Sequence, residues 1–292
     1  MSHPRPAAAV SNAQRIDDID VVRGMALCGV LVSNLVEMFR VPWGRTYQVP
    51  GTGRIDDYVD ALMGTAFQGN VIHLTFSLIF GLGMAISSER VLATGASAHR
   101  LLVRKQLILL VIGLIHATLI WNGDVLVSYA LVGLAILPFL RSRTRTLLLG
   151  ALVMAIIFCL PIYPVRPSPE SVENTQRVAR ALEAYQNGTW WDVQAQGMSD
   201  LRYMWRYAVA RHLFAEGMAF CLGFAVWRGG LLTAPEQHRR AMQWTLMGGA
   251  VSLIVVVLRY AGFLPSVSSS SFGSFGPAAR FLWQFAYLVT NT

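Results

Sequence analysis

Charge is what this sequence has least of. Charged residues make up 14% of its 292 positions, against about 25% in a soluble domain. Lysine is nearly absent: of 24 basic residues, only Lys105 is not arginine. Cysteine is sparse too. Cys28, Cys159 and Cys221 all fall in apolar stretches, which excludes a disulfide framework and leaves them as small packing residues. No H-x-x-x-H or H-E-x-x-H occurs, so no metal site is expected. "FGLGMA" has no following GKS or GKT, which excludes a phosphate loop. What is plentiful is apolar surface, 54% of residues, with mean hydropathy +0.47. That balance predicts an all-α fold, a polytopic transmembrane helix bundle. The net charge of +8 would suggest nucleic acid in a soluble protein. Here the basic residues sit in loops between apolar runs. No nucleic-acid partner is expected, and the lipid bilayer is the main partner.

A span needs about 20 mostly apolar residues. Eight segments qualify, near 21–39, 70–88, 101–120, 124–140, 146–163, 207–227, 241–263 and 278–292. Arg90, Arg100, Arg104 and Lys105 follow the second. Arg141, Arg143 and Arg145 follow the fourth, and Arg228, Arg239 and Arg240 the sixth. These are alternate loops, so the positive-inside rule puts them all in the cytoplasm. The expectation is an eight-span membrane protein with a cytoplasmic N-terminus. Residues 1–18 are the cytoplasmic tail, which has no apolar core of a signal peptide. Residues 19–292 form one transmembrane domain. Its outer loop, 164–206, carries interfacial helices marked by "VENTQRVARALEAYQNGTWWDV" and the pair Trp190 and Trp191. Such a segment reads as a lid on the membrane surface, or over a substrate entrance. Glycines in "FGLGMA" and "GMAFCLGFAVWRGG" sit at spacings that let helices approach closely.

This topology assigns every polar residue a depth. Asn34, Glu37, His73, His116, Asp124, Arg211, His212, Glu216 and Arg259 all fall in the outer half. The inner half holds little beyond Asp20 and Arg23. Scattered packing residues would not sort this way, so a water-accessible cavity open to the outside is expected. The stretch "GLIHATLIWNGDVLVSY" carries two of these residues. Asp124 follows the Asn122-Gly123 turn and suits a helix N-cap. His116 lies about 9 Å below that turn if the helix runs straight, so only a water-bridged link to Asp124 is expected. His116 alone also fits an interhelical hydrogen bond. His212 and Glu216 lie four apart, on one helix face. With Arg211 they read either as a self-neutralising cluster or as a site for an anionic group.

Several stretches carry a resemblance. "RIDDIDVVRGMALCGVLVSNL", "LTFSLIFGLGMAI", "RLLVRKQLILLVIGLIHATLIWNGDVLVSYALVGLAILPFLR", "AYQNGTWWDV" and "FAEGMAFCLGFAVWRGGLL" resemble the bacterial YeiB-type inner-membrane proteins, a family of largely undetermined function. The resemblance covers residues 15–232. The family continues with further spans and a GRMALTNY-like segment that this sequence lacks, which implies a shortened member or a truncated sequence. The family is in turn similar to the transmembrane acyltransferases, among them heparan-glucosaminide N-acetyltransferase and bacterial polysaccharide O-acyltransferases. Their D-x-x-R-G pattern is matched by Asp20-Val21-Val22-Arg23-Gly24. The resemblance implies an acyltransferase with Asp20 and Arg23 at a cytoplasmic acyl-CoA entry. It implies acyl-CoA as co-substrate, no bound cofactor and an acceptor facing the periplasm. Asn34 stands where the polysaccharide enzymes carry a histidine, so His116 would be the catalytic base, with Asp124 orienting it. Asn34, Glu37, His73, Arg211, His212 and Glu216 would bind substrate. The alternative is a transporter or flippase of a small solute or lipid, for which no inverted repeat is visible.

Overall fold

The computed structural model describes residues 17–38, 70–160, 162–164, 167, 171–240, 242–244 and 247. Among the described residues every regular element is helical. Helix α1 is Asp17–Met38, α2 Asn70–Ala93, α3 Ala98–Ile115, α4 Leu126–Ile136 and α5 Thr144–Cys159. Two amphipathic helices follow, α6 (Val172–Asn187) and α7 (Trp190–Met204), and then α8 (Ala210–Arg228).

The sequence sets each end. Gly95, at φ 75°, turns the chain after α2, and Ser97 caps α3 by accepting from the Arg100 N–H at 3.3 Å. Pro138 closes α4 in a 3₁₀ turn, Leu137–Phe139. Ser171 caps α6 through the Asn174 N–H. Thr189 and Asp192 form a reciprocal capping box at the start of α7. The hydrogen bonds from Thr189 hold the exposed Asp192 carboxyl below the usual aspartate range.

Three helical runs are long and apolar enough to cross a membrane: His73–Ala93, Ala98–Ile120 and Trp190–Arg228. The apolar runs Arg23–Val32, Leu126–Phe139 and Thr144–Cys159 are shorter. The outer face of α3 exposes Leu107, Ile108, Val111 and Ile112, and the turn that follows it Leu119 and Ile120, each about half or more. Water would not tolerate such a continuous apolar strip. These features mark a membrane protein. Of the expected span 241–263 only residues 242–244 and 247 are described, and Arg259 and the expected span 278–292 lie outside the described residues.

One boundary differs from expectation. The 164–206 segment does not end as a loop before the sixth span. Instead α7 runs through a π-helical turn, Trp205–Val209, straight into α8, giving one 39-residue helix. No Gly or Pro lies between 198 and 216 to break it. At 1.5 Å per residue this rod is about 58 Å long, roughly twice a ~30 Å hydrocarbon core. Helix α7 therefore stands outside the apolar layer.

Helix α8 is the hub, packing on α2, α4 and α5. Phe220 and Phe224 are fully buried there, against Met84, Tyr129 and Leu147. A Cβ on Gly81 would fall 2.6 Å from the Phe220 carbonyl, and one on Gly223 2.3 Å from that of Leu78. The α2 and α8 backbones thus touch, and only glycine permits it. The two run parallel, since Leu74 packs near Ala215 while Glu89 accepts from Trp227 Nε1 at 2.7 Å. Helix α5 is antiparallel to α8, with Phe158 under Arg211 and Gly150 near Cys221. Helices α3 and α4 form an antiparallel hairpin, Gly113 against Val127 and Gln106 against Gly133.

Candidate functional site

This alternation brings together the start of α2, the end of α3 and the starts of α4 and α8. His73, His116, Asp124, Arg211 and Glu216 therefore share one end of the bundle. Arg90, Arg100, Arg141, Arg143 and Arg228 lie toward the other.

His116 and Asp124 meet directly: Nδ1 lies 2.9 Å from Asp124 Oδ1. The expected separation of about 9 Å is corrected because the helix does not run straight. At His116–Ile120 it widens into a π turn, closed by the Trp121 N–H on the His116 carbonyl at 2.8 Å. Trp121 is then extended, and the chain doubles back. Its indole crosses the turn over Gly123, where a Cβ would lie 2.3 Å from the ring. A side chain there would push the turn open.

Asp124 serves two partners. Oδ2 accepts the Val127 N–H at 2.8 Å in the first turn of α4, from the residue before the Val125 N-cap position, while Oδ1 faces the imidazole. The Asp124 side chain is 1% exposed and that of His116 32%. An ionised Asp124 accepts from Nδ1–H, which places the imidazole lone pair on Nε2. The contact fixes the orientation of the ring and leaves its second nitrogen, Nε2, without a hydrogen-bond partner among the described residues.

One turn along α4 stands Ser128. Its Oγ is 2.9 Å from Glu216 Oε1 on α8 and 2.9 Å from the Val125 carbonyl. Glu216 is 7% exposed, and its Oε2 is buried without a partner. Tyr129, next along and fully buried, donates to the His73 carbonyl at 3.0 Å and lies 2.8 Å from Ser77 Oγ. Sequence reasoning missed Ser128, Tyr129 and Ser77. The available signal was the i, i+4 step from Asp124 to Ser128, which puts both on one helix face.

The other expected residues are distributed differently. His73 is half-buried at the start of α2 and joins through its carbonyl. Arg211 stacks over the Phe158 ring at 4.3 Å. His212 is exposed although Glu216, four residues on, is buried. The reason is depth, since four residues advance about 6 Å along the helix. Asn34 is half-buried on α1, which packs on α2, and it makes no bond to the His116 set among the described residues. The Glu37 side chain lies outside the described residues. Asp20 and Arg23 form an exposed pair at 3.3 Å. Arg23 also approaches α2 at Gly83, where a Cβ would lie 3.0 Å from its guanidinium.

The α6–α7 hairpin stands beside the His116 turn, and Gln194 Nε2 donates to the Leu119 carbonyl at 3.4 Å. A buried ion pair, Arg177 to Asp200 at 3.2 Å, holds the hairpin together, with Arg177 over the Tyr203 ring at 4.2 Å. Trp190 and Trp191 are exposed at its tip. Among the described residues no group of three or more His, Cys, Asp or Glu side chains could hold a metal ion.

No family model matches this chain, and no solved structure matches it. Curated relatives do. The chain is 32% identical over 257 residues to the uncharacterized protein YxaH of Bacillus subtilis (strain 168), covering 82% of this chain and 64% of YxaH. An uncharacterized 39.9 kDa protein in the amylase 3' region of Bacillus acidopullulyticus is 26% identical over 157 residues, 53% of this chain and 43% of that protein. The uncharacterized protein YeiB of Escherichia coli (strain K12) is 31% identical over 119 residues, 40% of this chain and 29% of YeiB. This chain thus spans less than two thirds of each relative. The likeness to YeiB is real, over a shorter stretch than the expected 15–232, and the chain is similar to this set of YeiB-like proteins.

Proposed function

We propose that this protein is an acyltransferase-like protein of the bacterial inner membrane, crossing it eight times with its N-terminus and arginine-rich loops in the cytoplasm. One observation carries the reading. His116 is oriented by a buried Asp124 and offers Nε2 beside the surface hairpin. An acceptor hydroxyl or amine would give its proton to Nε2 as its oxygen or nitrogen attacks the acyl carbonyl. The thioester C–S bond then breaks, and the thiolate of coenzyme A takes a proton from the imidazolium. Arg23 suits a donor phosphate at the opposite face. It meets α2 at Gly83, ten residues or about 15 Å along the helix from His73. The α6–α7 hairpin would cover the acceptor's route.

The test uses the protein in nanodiscs with labelled acetyl-CoA, plus sugars or lipids as acceptors. Wild type is expected to transfer label. His116→Ala should abolish transfer, and Asp124→Asn should cut it at least tenfold by losing the Nδ1 partner that fixes the tautomer. Full transfer in both variants would overturn the proposal. Absence of turnover in wild type would favour the transport reading.

A further inference from the structure

Glu216 presents an accounting problem. Its carboxyl has two oxygens in a site that is 7% exposed, and only Oε1 has a partner. That partner, Ser128, has one hydroxyl proton and two oxygens at 2.9 Å, Glu216 Oε1 and the Val125 carbonyl. The Val125 carbonyl already accepts the Tyr129 N–H at 3.0 Å, so it does not require the hydroxyl. Two arrangements therefore satisfy the same atoms. In one, Ser128 donates to an ionised Glu216. In the other, a protonated Glu216 donates to Ser128, whose hydroxyl turns to Val125.

Among the described residues no cation answers the carboxylate. Among the described residues the titratable groups nearby on the packed helices are Tyr129 on α4 with Asp124 just ahead of that helix, His73 on α2 and Cys159 on α5, with Arg211 and Cys221 on α8 itself. Asp124 and Tyr129 lie within electrostatic reach of Glu216, and Asp124 is a like charge. Arg211 is turned to the Phe158 ring. Oε2 itself is buried.

We infer that Glu216 and Ser128 form a proton-binding site, in which the Ser128 hydroxyl rotates between Glu216 and Val125 as the carboxyl gains or loses its proton. The site adjoins the His116–Asp124 pair, Asp124 and Ser128 being one turn apart. Its charge therefore acts on the orienting carboxylate whichever activity the chain has. Buried carboxyls of this kind mark proton relays in membrane proteins.

Infrared spectroscopy of the full chain in nanodiscs, with glutamate side-chain carboxyls ¹³C-labelled, reads the proton directly and needs no turnover. At neutral pH the wild type should show a protonated-carboxyl C=O band. Glu216→Gln should remove it. Ser128→Ala, which keeps the carboxyl and loses its partner, should shift it. No such band in wild type overturns the inference, as does a band that survives Glu216→Gln or stays unmoved in Ser128→Ala. A protein with no acyl-transfer activity would still show the band, so this site and the acyltransferase reading fail separately.

Discussion

The α2–α8 contact makes a prediction with opposite signs at two glycines. A Cβ placed on Gly223 would sit 2.3 Å from the Leu78 carbonyl oxygen and 2.7 Å from the Leu82 nitrogen. Carbon–oxygen contacts are comfortable at about 3.3–3.6 Å, so α2 and α8 would have to part by about 1 Å. Both obstructing atoms are backbone and cannot swing aside. Overpacking of this sort costs about 1–3 kcal/mol, while alanine returns about 1 kcal/mol of helix propensity. With both obstructing atoms fixed in the backbone the steric cost outweighs the gain, and Gly223→Ala should destabilise by up to about 2 kcal/mol. Gly197, in α7, has nothing within 4 Å of its would-be Cβ. There only propensity acts, and Gly197→Ala should stabilise by up to about 1 kcal/mol. Unfolding in detergent, titrated with dodecyl sulfate and followed by tryptophan fluorescence, compares the two in one host. Gly223→Ala at least as stable as wild type, or less harmful than Gly197→Ala, would refute backbone contact between α2 and α8.

Two further outcomes follow from the caps. Asp124→Asn keeps an oxygen for the Val127 N–H, whereas Asp124→Ala loses it. In the same unfolding assay the alanine variant should be less stable than the asparagine variant by about 1 kcal/mol. Equal stabilities would show that the cap is idle. At Asp192, whose folded-state carboxyl titrates below an ordinary aspartate, the stabilisation is full above the unfolded value. It is lost as pH falls through the lowered folded one. A ¹³C titration of labelled Asp192 should therefore run low, and Thr189→Ala, which removes the hydroxyl donor and keeps the backbone N–H, should move it part of the way back. An Asp192 titration unmoved by Thr189→Ala would remove the capping box from the account.

Much of the bundle was legible because its causes are one-dimensional. Hydropathy marks helices α2, α3 and α8. The arginines after the second, fourth and sixth expected spans gather at one end because successive helices alternate. The site was only half legible. His116 and Asp124 stood out as ionisable groups in apolar company, but their contact did not, because rise-per-residue arithmetic assumes an unbroken α-helix. The π turn and the doubling back at Trp121 and Gly123 depend on how an indole packs, which no periodicity encodes. Ser128 was hidden for another reason: a serine in an apolar run reads as a packing residue until its partner, 88 positions away, is placed beside it. His212 and Glu216 look equivalent on a helical wheel, and depth in the bundle separates them.

The 39-residue helix has a mechanical consequence. Its first turns carry the surface hairpin, and its last residue, Arg228, grips the carbonyls of Leu140 and Ser142 at the far end. The two faces of the bundle are thus joined by one stiff lever, with the π turn at Trp205–Val209 as its natural joint. A tilt of the hairpin about that joint leaves the lower arm undisturbed. A tilt without bending there is passed to the opposite end and strains the Arg228 grip. How this joint bends therefore decides whether events at the tryptophan tip stay local or are felt across the whole molecule.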